Sequence, residues 1–164
     1  MTVYHYWSTL VGGCAHTYRR KMTKELLQDG IKRLVEHATE MGFTVKFTAE
    51  NENAYYPILK TIQINSKQNT KSKYYTLLHE FGHALLREES DFSDKYLQDV
   101  MNCKKDKNSR IDVLREEIAA WDKCAEFAKQ KQLPFCQTTW KNYSKKYIYQ
   151  YALWTINPQA FINE

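Results

Sequence analysis

Residues 75–86 read Tyr75-Thr76-Leu77-Leu78-His79-Glu80-Phe81-Gly82-His83-Ala84-Leu85-Leu86. Two patterns are superimposed in this stretch. Its apolar side chains recur at helical spacing and predict a helix over about Lys73 to Arg87. Within that helix His79 and His83 stand four residues apart, so both imidazoles rise from one face and can reach one metal ion. Glu80 follows the first histidine, where it can reach a metal-bound water rather than the metal. A carboxylate there can take a proton from that water and later deliver it to a leaving amine. A chain with 5 His and 12 Glu matches H-E-x-x-H by chance roughly 1% of the time. The bland alternative, two core histidines on an ordinary helix, still requires partners for two imidazoles and a carboxylate in an apolar segment.

Two histidines do not complete such a centre; a third protein ligand is required. A continuation H-x-x-G-x-x-H is excluded, because Leu86 and Glu89 occupy the positions it needs. Glu88, Glu89 and Asp91 are too close along the chain to fold back and are expected in a solvated turn. The next long helical pattern, about Ile111 to Gln130, carries Glu116 and Glu117. Glu117 lies 34 residues after His83, enough for a loop and a returning helix. Helical phase separates the two glutamates. With Leu114 at zero and a turn of about 100° per residue, Ile118, Trp121, Ala125 and Ala128 define a buried stripe. Glu117 falls at about −60°, at the stripe's edge, and Glu116 at about 200°, toward solvent. Glu117 is therefore the expected third ligand, with His79 and His83, and Glu80 the expected catalytic base.

Upstream, Thr23 is a predicted N-cap for a helix to about Met41, closed by Gly42, with Gly30 a tolerated weak point. Phe43 to Phe47 alternates, Ala54 to Leu59 is aromatic and contains Pro57, and Lys60 to Asn65 alternates again. The short connections predict a small antiparallel sheet, followed by a loop over Ser66 to Ser72. Downstream, a short helix is expected around Tyr96 to Val100. Thr138 or Thr139 caps a last helix, Trp140 to Trp154, whose stripe Trp140, Tyr143, Tyr147, Tyr151 and Trp154 reads as core. The fold class is thus α+β, and residues 1–164 are expected to form a single domain.

Composition narrows the setting. The chain is 43% hydrophobic and 26% charged, with 5 Gly and 3 Pro, which excludes disordered, collagen-like and low-complexity classes. The net charge of +5 is spread over short basic runs, so a nucleic-acid partner is not expected. Cys14, Cys103, Cys124 and Cys136 form no C-x-x-C pair and are read as reduced thiols. Val11-Gly12-Gly13-Cys14 looks faintly like a lipoprotein cleavage box, but no Lys or Arg precedes it, so no leader is expected. No apolar stretch reaches membrane-span length.

On His79, Glu80, Gly82, His83 and the following glutamate helix with Glu126-Phe127-Ala128, the sequence resembles the small gluzincin metallopeptidases, above all the ImmA/IrrE family, over about Thr44 to Ala128. Where that family commonly has Glu-Ala-Asn at the third ligand, this chain has Glu117-Ile118-Ala119. The resemblance implies a minimal zincin fold and a cytoplasmic, zinc-dependent endopeptidase. It also implies a protein or peptide substrate such as a transcriptional repressor, and in such enzymes a strand like Lys60 to Asn65 offers its edge to the substrate. The alternative function is a catalytically inactive zincin-like binding protein, or one holding a structural zinc.

Overall fold

The computed structural model describes residues 22–88 and 106–161. The expected helix around Tyr96 to Val100, and Glu89, Asp91, Cys14 and Cys103, lie outside them. Helix α1 spans Lys24–Glu40, with Thr23 as N-cap accepting from the Leu26 N–H at 3.2 Å. Gly42, at φ +83°, turns the chain out of α1 in a conformation that L side chains rarely adopt. Strands β1 (Thr44–Thr48), β2 (Ala54–Tyr56) and β3 (Thr61–Asn65) follow, then helices α2 (Thr70–Glu88), α3 (Lys107–Gln130) and α4 (Gln137–Ile156).

The α+β class holds, but the sheet is mixed rather than antiparallel. Its order is β1-β3-β2; β3 pairs with β1 in parallel and with β2 antiparallel. The chain reverses once after β1 and again at Pro57–Lys60, so β3 returns to the direction of β1 and inserts beside it. A five-residue link at 49–53 is long enough to step across the one intervening strand. Short connections therefore did not require neighbouring strands. Ile62 and Ile64 on the central strand are fully buried, whereas Phe47 on the edge strand β1 is 43% exposed.

Among the described elements helix α2 is central, packed against α1, β2, β3 and α3. Tyr74, Tyr75, Leu77, Leu78, Phe81 and Ala84 are fully buried there. The helix begins at Thr70, inside the expected loop, because the Asn69 side chain accepts from the Ser72 N–H at 2.9 Å. Gly30 is a contact point rather than a weak one. A Cβ there would stand 2.6 Å from the Tyr74 ring and 3.0 Å from Pro134. The Tyr74 hydroxyl donates to the Pro134 carbonyl at 2.7 Å. Arg33 on α1 reaches the Lys131 and Gln132 carbonyls beyond α3, at 2.5 and 3.2 Å, and so ties the two helices together.

Helix α3 starts earlier than its apolar stripe, at Lys107, because Asp106 caps the Asn108 and Ser109 N–H groups. Helix α4 packs on α3. Its N-cap is Cys136, not Thr138 or Thr139; the Thr139 hydroxyl donates to the Cys136 sulfur at 3.4 Å instead. Cys124 and Cys136 are both free thiols. No helix among the described residues is long and apolar enough to cross a membrane.

Candidate metal centre

Helices α2 and α3 approach each other closely because the residues between them are small. A Cβ on Gly82 would stand 2.3 Å from the Ala120 carbonyl oxygen and 3.1 Å from the Cys124 Cβ. This contact puts the α3 glutamates against the α2 histidines. Nε2 of His79 and Nε2 of His83 lie 3.3 Å apart. Glu117 places Oε2 at 3.2 Å from His79 Nε2 and Oε1 at 3.4 Å from His83 Nε2. All three side chains are buried, and their potential ligand atoms lie within 4.8 Å of one another.

The arrangement fits a metal ion. Two ring nitrogens and a carboxylate oxygen converge on one small volume, and Glu117 Oε2 is buried there facing only His79 Nε2, at 3.2 Å. Such atoms are costly to bury facing each other unless a cation or protons lie between them. Without a metal, the surrounding charges act on the ionisation of these groups. Burial opposes a charged His83, but the Glu117 charge, hydrogen bonds with Glu116 and Glu117 and the Glu80 charge raise its pKa well above the usual histidine value. Burial likewise opposes the charged Glu117, yet the His83 charge and hydrogen bonds from both histidines hold its carboxyl well below the usual range.

Glu116 does not face solvent. It is 3% exposed, and its Oε1 lies 3.1 Å from Nδ1 of His83. The buried face of α3 runs through Val113, Glu116, Glu117, Ala120, Trp121, Cys124, Ala125 and Ala128. Glu117 thus sits within that face rather than at its edge, and Ile118, expected inside, is 40% exposed. Burial raises the Glu116 carboxyl above its ordinary value, against the His83 hydrogen bond and the charges of His83 and Arg87.

Glu80 turns toward a cleft of about 190 Å³ that His79, Trp121, Tyr147 and Tyr151 also line, with Asn53 and Gln150 among its polar groups. Glu80 is half-buried. Desolvation raises its pKa, while the two histidines and a hydrogen bond from the Tyr55 backbone N–H pull it down. A carboxyl raised in this way is a better proton acceptor than an exposed one. Trp121 stacks on His79 with ring centroids 4.2 Å apart and planes at 18°. Tyr147 stacks on Trp121 in turn. The α4 stripe is therefore divided. Tyr147 and Tyr151 line the cleft, whereas Tyr143 stacks on Tyr75 and pairs with the Ser72 hydroxyl at 3.1 Å. The Trp121 stack and the Glu116–His83 pair escape a reading by apolar stripe. Ala120 and Cys124, opposite Gly82, are the signal that would have set the phase of α3.

The strand Lys60 to Asn65 offers no edge, since β3 is paired on both sides. The strand beside the cleft is β2, which contributes Tyr55 to Glu80 and follows Asn53 directly. No curated protein and no solved structure matches the chain. A family model does match. It covers residues 37–121, which take in the end of α1, all three strands, α2 and the part of α3 that carries Glu116 and Glu117. With just over half of its length matched, the chain belongs to the family of the IrrE N-terminal-like domain, Peptidase_M78.

Proposed function

We propose that the protein is a zinc-dependent endopeptidase whose ligands are His79, His83 and Glu117 and whose general base is Glu80. The observation that carries this reading is the convergence of three buried ligand atoms beside a cleft-facing carboxylate. Glu80, Glu116 and Glu117 gather three carboxylates there, and Glu116 faces the Arg87 charge; a dication together with Arg87 would balance them with both histidines neutral. Two nitrogens and one oxygen suit zinc, and three protein ligands leave a coordination position open, as catalytic zinc sites do.

Bound zinc would supply an acidified water and polarise the scissile carbonyl. Glu80 takes the water's proton on its carboxylate and passes it to the departing amine. The outer edge of β2 is the place for an extended protein or peptide chain to add as a further strand. A transcriptional repressor is the substrate we propose first.

Elemental analysis of the purified protein should find one zinc per chain, removable by chelators; protein replete with metal salts that retains none would sink the reading. Glu80→Gln, nearly isosteric, should keep the fold and the zinc and abolish cleavage. The substrate can be sought by comparing the proteomes of cells expressing wild type or Glu80→Gln. Cleavage at the wild-type rate by the variant would remove Glu80 from its role.

A further inference from the structure

Glu116 is a buried carboxylate that the proposed chemistry does not use. It stands next to Glu117 on α3 but approaches His83 from the other side of the ring. Glu117 and His79 face Nε2 of His83, whereas Glu116 Oε1 lies 3.1 Å from Nδ1. Glu116 and His83 are 3% and 5% exposed, so neither exchanges this contact freely for water. Arg87, one turn beyond His83 on α2, lays its positive charge on the same carboxylate. An ionised carboxylate can only accept, and a neutral imidazole carries one N–H. In the neutral His83 that a metal requires, the pairing therefore dictates which ring nitrogen holds the proton.

We propose that Glu116 is a positioning residue for the metal centre: it accepts the Nδ1–H of His83 and so leaves Nε2 bare to ligate zinc. This rests on the metal reading above. The two histidines are held by different means. His79 has no hydrogen-bond partner at Nδ1 among the described residues and is held instead by the face of Trp121. Removing Glu116 thus loosens one ligand and leaves the other in place. Outer partners of this kind orient metal-bound histidines and raise their basicity.

The test uses the full chain as wild type, Glu116→Gln, Glu116→Met and Glu117→Ala. Zinc affinity is read by competition with a chromophoric chelator, and geometry by the visible absorption of the cobalt-loaded protein. Methionine fills the space without accepting a hydrogen bond; the glutamine amide oxygen accepts the same N–H. Glu116→Met should bind zinc roughly 10- to 100-fold more weakly, with an altered cobalt spectrum. Glu116→Gln should stay within about threefold of wild type. Glu117→Ala should lose more than either, because it removes a ligand. Wild-type affinity and spectrum in Glu116→Met would overturn the proposal, as would a Glu116→Gln as weak as Glu116→Met. Absence of metal from the wild type would instead overturn the metal reading itself. A second measurement needs no variant: nitrogen-15 spectra of the zinc-loaded wild type should place the His83 proton on Nδ1. Ligation through Nδ1 would overturn the proposal.

Discussion

Replacing Gly82 with alanine adds one methyl group at the closest contact between α2 and α3. The new Cβ would stand 2.3 Å from the Ala120 carbonyl oxygen, a backbone atom that cannot swing aside. Ordinary carbon–oxygen contacts run at about 3.3–3.6 Å, so the helices must part by about 1 Å. His83 is the next residue on α2, and Glu117 lies one turn before Ala120 on α3. Ligand distances in metal sites hold to within about 0.2 Å, so that separation exceeds the tolerance roughly fivefold. Alanine gains about 1 kcal/mol of helix propensity over glycine, while overpacking costs about 1–3 kcal/mol. The fold should therefore survive with a modest loss of stability, while zinc affinity falls at least tenfold. Gly42→Ala is the matched control. Nothing lies within 4 Å of its Cβ position, and its cost is the left-handed backbone alone, about 1–2 kcal/mol. It should lower the melting temperature without touching zinc affinity. Chelator competition and thermal melts on both variants decide the matter. Wild-type zinc binding in Gly82→Ala would show that the helix spacing does not hold the centre together.

Metal-free and zinc-loaded protein should respond to pH with opposite signs. Without metal, the raised His83 pKa contributes stability that is full below the unfolded value of 6.5 and is lost as pH rises through the folded value. The lowered Glu117 pKa contributes stability present above 4.5 and lost only as pH falls through its folded value. The chelated protein should thus lose melting temperature from about pH 6.5 upward, whereas zinc binding, which needs deprotonated ligands, should strengthen over the same range. Parallel pH profiles for the two forms would contradict this account. Tyr74→Phe should cost about 1–2 kcal/mol in urea unfolding, because the Pro134 carbonyl loses its donor in a fully buried setting. A loss within error of zero would mean that water replaces the hydroxyl.

Local chemistry made much of this molecule legible. Thr23 and Gly42 bound α1 within a residue because a cap and a left-handed stop act on the nearest backbone. The H-E-x-x-H spacing placed two imidazoles and Glu80 on α2 for the same reason. Long-range choices were harder. Nothing in β1, β2 or β3 states that the third strand inserts between the first two, since alternation reports a face and not a neighbour. The phase of α3 is not set by the bulky Leu114 and Ile118 but by Ala120 and Cys124. The small residues face α2, where space is scarcest, and Ile118 is left outside. Two adjacent glutamates therefore enter the interior, which no hydrophobic scale anticipates. Each is there because a histidine on α2 meets it.

The two halves of the centre lie far apart along the chain: His83 closes one half, and Glu117 opens the other 34 residues later. A ligated ion is thus a reversible cross-link. Closing a loop of that size with a covalent bridge removes unfolded-state chain entropy worth about 4 kcal/mol. An ion bound at both ends restricts the unfolded chain in the same sense for as long as it stays bound, and a chelator cuts the link without breaking a covalent bond. The stability that a metal would lend therefore depends on the length of chain between α2 and α3 as well as on the three proposed ligands. Each doubling of that connection adds only about 0.6 kcal/mol to the closure term.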